Sequence, residues 1–131
     1  MKNAFKVLLS LSALTLLAIY LLVFSNIVFP WQKDEAIKTT LEWSGLTELP
    51  IDNEEIKVSK KGSMFTRQYI LEFSTSKSEI ENWIEKSEKL KKIPVKEIGK
   101  TEIYNIDGEK GAMGGTLKIK DSLVTLNISW S

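Results

Sequence analysis

Leu123-Val124-Thr125-Leu126-Asn127-Ile128-Ser129-Trp130 alternates without a break. Val124, Leu126, Ile128 and Trp130 face one way; Thr125, Asn127 and Ser129 face the other. A period of two is the signature of a strand with one face in a core and the other in water. Upstream, Asp121-Ser122 suits a tight turn, and across it Leu117 and Ile119 in Thr116–Lys120 match the apolar face. Before that lies the loop Asp107–Gly115, with four of the chain's seven glycines, and an expected strand near Glu102–Ile106.

Two earlier segments alternate as well. Glu55–Ser59 places Ile56 and Val58 on one face. Beyond Lys60-Lys61-Gly62-Ser63, a run from Phe65 to Ser74 places Phe65, Arg67, Tyr69, Leu71 and Phe73 together. This is a hairpin pattern with a glycine at the turn. The chain's only arginine, Arg67, thus falls on the apolar face beside aromatic rings.

Helical spacing appears twice. Ala36, Ile37, Thr40, Leu41 and Ser44 form a stripe on Asp34–Ser44, with Gly45 placed for a left-handed cap and Leu46 folding back after it. Trp43 lies off that stripe and either packs under the next loop or faces a membrane or partner. Ser76 and Glu79 read as a capping box ahead of Ile80, Trp83, Ile84, Ser87 and Leu90, which predicts one helix over Lys77–Lys91. Lys86, Lys89, Lys91 and Lys92 complement the negative end of its dipole. The expected domain is α+β, in two layers: an antiparallel sheet of about five strands with two helices on one face, in the order α-β-β-α-β-β-β.

Ahead of this domain, Val7–Gln32 carries no charge, and the apolar run to Phe29 is long enough to cross a bilayer. Lys2 and Lys6 precede it, whereas Lys33, Asp34, Glu35 and Lys38 after it are mixed in sign. The positive-inside rule then leaves the N-terminus in the cytoplasm and the domain outside, as a single-pass protein of the cell membrane. Phe29 and Trp31 fall at the level of an interfacial aromatic belt, and Pro30 ends the helix. Residues 1–30 are therefore read as a membrane anchor or uncleaved signal that contacts the membrane through residues 7–29, and residues 31–131 as an extracytoplasmic domain. The competing readings are a signal cleaved near Val23-Phe24-Ser25 and a buried core helix.

Composition excludes a good deal of chemistry. The chain has no Cys and no His, so disulfides, thiolate nucleophiles, Ser-His catalysis, haem ligation through those residues and ordinary zinc sites are out of reach. With two of its 18 Lys and Arg ahead of the apolar run and 17 acidic groups after it, the domain has a net charge of −1. Such balance argues against nucleic-acid binding. No metal site and no cofactor are expected.

Ser74-Thr75-Ser76-Lys77 matches the S-x-x-K of serine acyl-enzymes, but the companion S-D-N and K-T-G elements are missing. Asp107–Gly115 is neither a P-loop nor a dinucleotide turn. It offers Met113 and Gly114 to a ligand or partner, although a flexible hairpin loop is the plainer reading. Arg67, with Tyr69, is the other candidate: a guanidinium on an apolar strand face finds a carboxylate, stacks on a ring or lines a groove. Asn127-Ile128-Ser129 is a glycosylation sequon within an expected strand.

The stretches Leu41–Pro50 and Gly62–Phe73, followed by the Trp83 helix, resemble a pattern in small exported or membrane-anchored bacterial proteins of unknown function. The resemblance implies a cell-envelope setting and brings no activity with it. Two functions are expected: a non-enzymatic interaction or ligand-binding module with a protein partner in the envelope, or a small exported hydrolase or transferase lacking His and Cys in its site. A concave pocket around Arg67 with a perturbed carboxylate or lysine would favour the enzyme.

Overall fold

The computed structural model describes residues 1–23, 28–62 and 66–130. Six strands, β1 (Lys57–Gly62), β2 (Arg67–Ser74), β3 (Lys96–Ile98), β4 (Thr101–Asp107), β5 (Gly114–Lys120) and β6 (Leu123–Trp130), form one antiparallel sheet. Their order across it is β1-β2-β6-β5-β4-β3. The alternating C-terminal segment thus lies inside the sheet, paired with β2 from Arg67↔Trp130 to Ser74↔Leu123 and with β5 from Gly114↔Ser129 to Lys120↔Leu123. The expected start of β2 at Phe65, and part of the cleavage site at Val23-Phe24-Ser25, lie outside the described residues.

Register converts alternation into a core. Val58, Leu71, Leu126, Leu117 and Tyr104 stand side by side across five strands, and Phe73, Val124 and Ile119 form the next row. Leu71, Leu117, Val124, Leu126 and Ile128 are completely shielded from solvent. On the opposite face Gln68, Ile70, Glu72, Thr125, Asn127, Thr116 and Lys118 all keep some exposure.

Two helices cover the apolar face, as their stripes predict. α2 (Lys33–Ser44) buries Ala36, Ile37, Thr40 and Ser44. The two hydroxyls are satisfied within the helix: Thr40 Oγ1 donates to the Ala36 carbonyl (2.7 Å) and Ser44 Oγ to that of Leu41 (3.2 Å). Gly45 caps the helix at φ 72°, its N–H on the Leu41 carbonyl at 2.8 Å, and Leu46 folds back into the core. α3 (Lys77–Lys86) starts at Ser76, whose hydroxyl accepts the Glu79 N–H at 3.3 Å. It buries Ile80 and Trp83. The Trp83 ring meets Phe73 edge-on at 6.2 Å, while its indole N–H donates to the Thr47 carbonyl at 3.2 Å.

The structure differs from expectation at two places. The helix expected over Lys77–Lys91 breaks at Ser87 (φ −90°, ψ 95°) and resumes as α4 (Glu88–Lys91). The break brings Leu90 into the core at 1% exposure, and it leaves the buried Ser87 hydroxyl without a hydrogen-bond partner among the described residues. The sheet has six strands where about five were expected, because β3 adds to the edge of β4. All three β3 residues are exposed, so no alternation announces them.

α1 (Lys2–Val23) is apolar and long enough to cross a membrane, and none of its Lys2–Leu21 stretch is buried against the rest of the chain. A core helix would be covered; this one is not.

Trp83 ties α3 to β2 and to the loop after α2. Trp83→Ala is expected to cost about 3 to 5 kcal/mol. Trp83→Phe, which keeps a ring against Phe73 and loses the Thr47 hydrogen bond, should cost clearly less. Thermal unfolding of the detergent-solubilised full chain, followed by near-ultraviolet circular dichroism, checks the ranking.

Candidate functional site

Arg67 opens β2 opposite Trp130, the last residue of β6. Tyr69, two residues on, shares its face, and opposite Tyr69 on β1 stands Lys60. Strand parity therefore brings two cations onto the apolar face at one end of the sheet. Trp43 from α2 packs against the neighbouring rings, 5.6 Å from that of Tyr69 and 6.4 Å from that of Trp130. Of the two expectations for Trp43, packing is the outcome.

Lys60, Arg67 and Tyr69 line a cleft of about 340 Å³ with Val28, Trp31, Gln32 and Glu35, which come from the segment leading into α2 and from its first turn. Arg67 is exposed there, and its side chain makes no ion pair or hydrogen bond with a described residue. Lys60 is only 9% exposed. Burial holds its ammonium below the ordinary value of 10.5, and the Arg67 guanidinium lowers it further.

Met113 and Gly114 sit at the same end of the sheet but do not line the cleft. Met113 projects into solvent at 67% exposure, with its backbone N–H on the Ser129 carbonyl at 3.0 Å. Gly114 has φ 100°, and a Cβ there would collide with the Ile106 carbonyl oxygen, so the close approach of β4 and β5 accounts for the glycine. The loop between those strands is docked. Glu109 N–H donates to the Trp43 carbonyl at 2.8 Å, and its carboxylate lies 3.5 Å from Lys89 Nζ and directly over Gly45. Lys89 also donates to the Asp107 carbonyl, so it braces this loop as well as standing near a helix end.

The remaining sequence motifs stay apart. Ser74 shares the outer sheet face with Glu72, whereas Lys77 lines a groove on the helix side, and no hydrogen bond joins them. Asn127 of the sequon accepts a hydrogen bond from Gln68 across β2 and β6 (2.6 Å). The groove itself, about 860 Å³, runs between α3 and the far ends of β4 and β5 over Ile80, Ile84, Ile119 and Tyr104. Burial raises the Tyr104 phenol above 10.0, helped by Glu102. No group of three or more acidic side chains is placed to hold a metal ion among the described residues.

Sequence reasoning singled out Arg67 and Tyr69 and missed Lys60, assigning it to the turn. Its parity with Ile56 and Val58 was the signal. No protein-family model, no curated protein and no solved structure matches this chain.

Gly114→Ala should destabilise the protein by about 1 to 3 kcal/mol through backbone strain, while Met113→Ala stays within about 0.5 kcal/mol; chemical unfolding of both variants decides. The Lys60 amine should titrate below 10.5, and Arg67→Gln should move it back upward, read from its side-chain carbon shifts by NMR. The unfolded chain then holds that proton to higher pH than the folded one, so the Lys60 contribution to stability rises with pH up to 10.5 and is lost as pH falls through the folded value. Tyr104 acts oppositely, its contribution being present below 10.0 and lost as pH rises through its folded value.

Proposed function

We propose that the protein is a membrane-anchored, extracytoplasmic interaction or ligand-binding module without catalytic activity. The observation that carries this reading is α1: it is long and apolar enough to span a bilayer, and none of its Lys2–Leu21 stretch is covered by the α+β domain that follows. Lys2 and Lys6 before it, against the mixed charges after it, support an orientation with the N-terminus in the cytoplasm and the domain outside. The sheet supplies a surface for an envelope protein. Among the described residues β1 pairs only with β2, so its outer edge can accept a strand, and Lys57, Lys60 and Lys61 discourage indiscriminate pairing there.

One observation favours the second reading, a small hydrolase or transferase. Lys60 is a lysine of lowered proton affinity in a concave cleft beside an arginine, and such a pairing can mark a nucleophile or base. Against it, Glu35 is the only carboxylate among the described residues that line the cleft, and the chain has no His or Cys to relay a proton. Turnover of a chromogenic ester by the wild-type chain, abolished by Lys60→Met, would establish the enzyme.

The anchored reading is tested by topology and extraction. A reporter active only outside the cytoplasm, fused after Ser131, should work, and the full-length chain should stay with membranes in alkaline carbonate. Cytoplasmic reporter activity would reverse the orientation. A shortened mature chain released by carbonate would replace the anchor with a cleaved signal.

A further inference from the structure

We infer that the cleft of Lys60 and Arg67 binds the phosphate of an anionic lipid headgroup in the bilayer that α1 spans. This rests on the anchored reading above.

Chain length is the first support. α1 ends at Val23, and Val28 already lines the cleft. Five residues of extended chain reach at most about 18 Å. The headgroup zone beyond the hydrocarbon is itself roughly 5 to 8 Å deep on each side. A cleft tethered so closely to a membrane span is held near the phosphates.

The chemistry of the cleft is the second. Arg67 presents a planar fork of donors suited to phosphate and makes no ion pair with a described residue, even though Glu35 lines the same cleft. Lys60 is a second cation on the same face, partly stripped of water and pressed by Arg67. An anion in the cleft would relieve that repulsion.

The apolar surroundings are the third. Trp31 (72% exposed) stacks on Phe29 at 4.8 Å, and Met113 (67%) and Trp130 (41%) are exposed at the same end of the sheet. Large apolar and aromatic groups around a cationic cleft suit the boundary between headgroups and acyl chains. A dissolved phosphate compound would satisfy the cations but leave this rim without a purpose.

The absence of cysteine makes a clean test possible. Met113→Cys supplies one thiol for an environment-sensitive fluorophore, and the labelled full-length chain is reconstituted in vesicles of phosphatidylcholine, with or without phosphatidylglycerol. Phosphatidylglycerol should shift the emission to the blue, and Arg67→Gln or Lys60→Gln should each weaken that response about fivefold. High salt should suppress it. Equal emission in the two lipid mixtures, or a response unchanged in both variants, would overturn the inference. So would an equal shift produced by glycerol phosphate added to phosphatidylcholine vesicles, since the ligand would then be a soluble phosphate. Flotation with vesicles after a carbonate wash separates the two levels: a chain that fails to float defeats the anchor, whereas one that floats in both mixtures without a lipid-dependent shift defeats only the headgroup site.

Discussion

Pairing of Leu123–Trp130 along both of its edges is the constraint on which the domain depends. The β1-β2 hairpin and the β3-β4-β5 meander are separate pieces of sheet, and β6 alone joins them. Leu71↔Leu126 closes a long loop, so the central pairing carries a large entropic cost before it is rewarded by burial. The core cannot be completed until β6 has paired on both of its edges. Once β6 is in place, the rows of Leu71, Leu126 and Leu117 present one continuous apolar surface to the helices.

The two helices lock onto that surface through aromatic rings with polar handles. Trp83 anchors α3 against Phe73 and hydrogen-bonds the loop after α2, so one side chain couples three parts of the chain. At the opposite end of the core, Trp43 bridges Tyr69 and Trp130. The glycine-rich loop is then drawn down through Glu109, whose N–H reaches the carbonyl of that same Trp43. Gly45 serves both arrangements: its left-handed backbone ends α2, and its missing Cβ leaves room for the Glu109 carboxylate. A loop that looks unconstrained in composition is therefore part of the packing.

Lys60 and Arg67 depart from this economy. They are two cations side by side on the face that forms the core, and burial together with the Arg67 charge disfavours the Lys60 ammonium. Exposure of Arg67 at the end of its strand lets water reach the pair and makes the arrangement tolerable. Local conflicts of this kind concentrate where a surface has a task beyond stability. Here the conflict lies against the segment that links the domain to the apolar helix.

Short-range periodicity carries the information that the sequence determined alone. The apolar length of α1, the stripes of α2 and α3, the Ser76 cap, the left-handed Gly45 and the alternation of β2, β5 and β6 all follow from residue spacing over one or two turns or pleats. Arg67 and Tyr69 were legible as one face for the same reason. Tertiary contacts decided the rest. Among the described residues β3 is held only by its pairing with the edge of β4, and the helix breaks at Ser87 while Leu90 stays in the core. Lys60 joins Arg67 only through the β1-β2 register, and Glu35 and Val28 join them only because α2 crosses that end of the sheet. Periodicity reports which side of its own element a residue faces. Which residues of other elements it meets there depends on pairing and packing between segments far apart in the chain, and no local pattern encodes that.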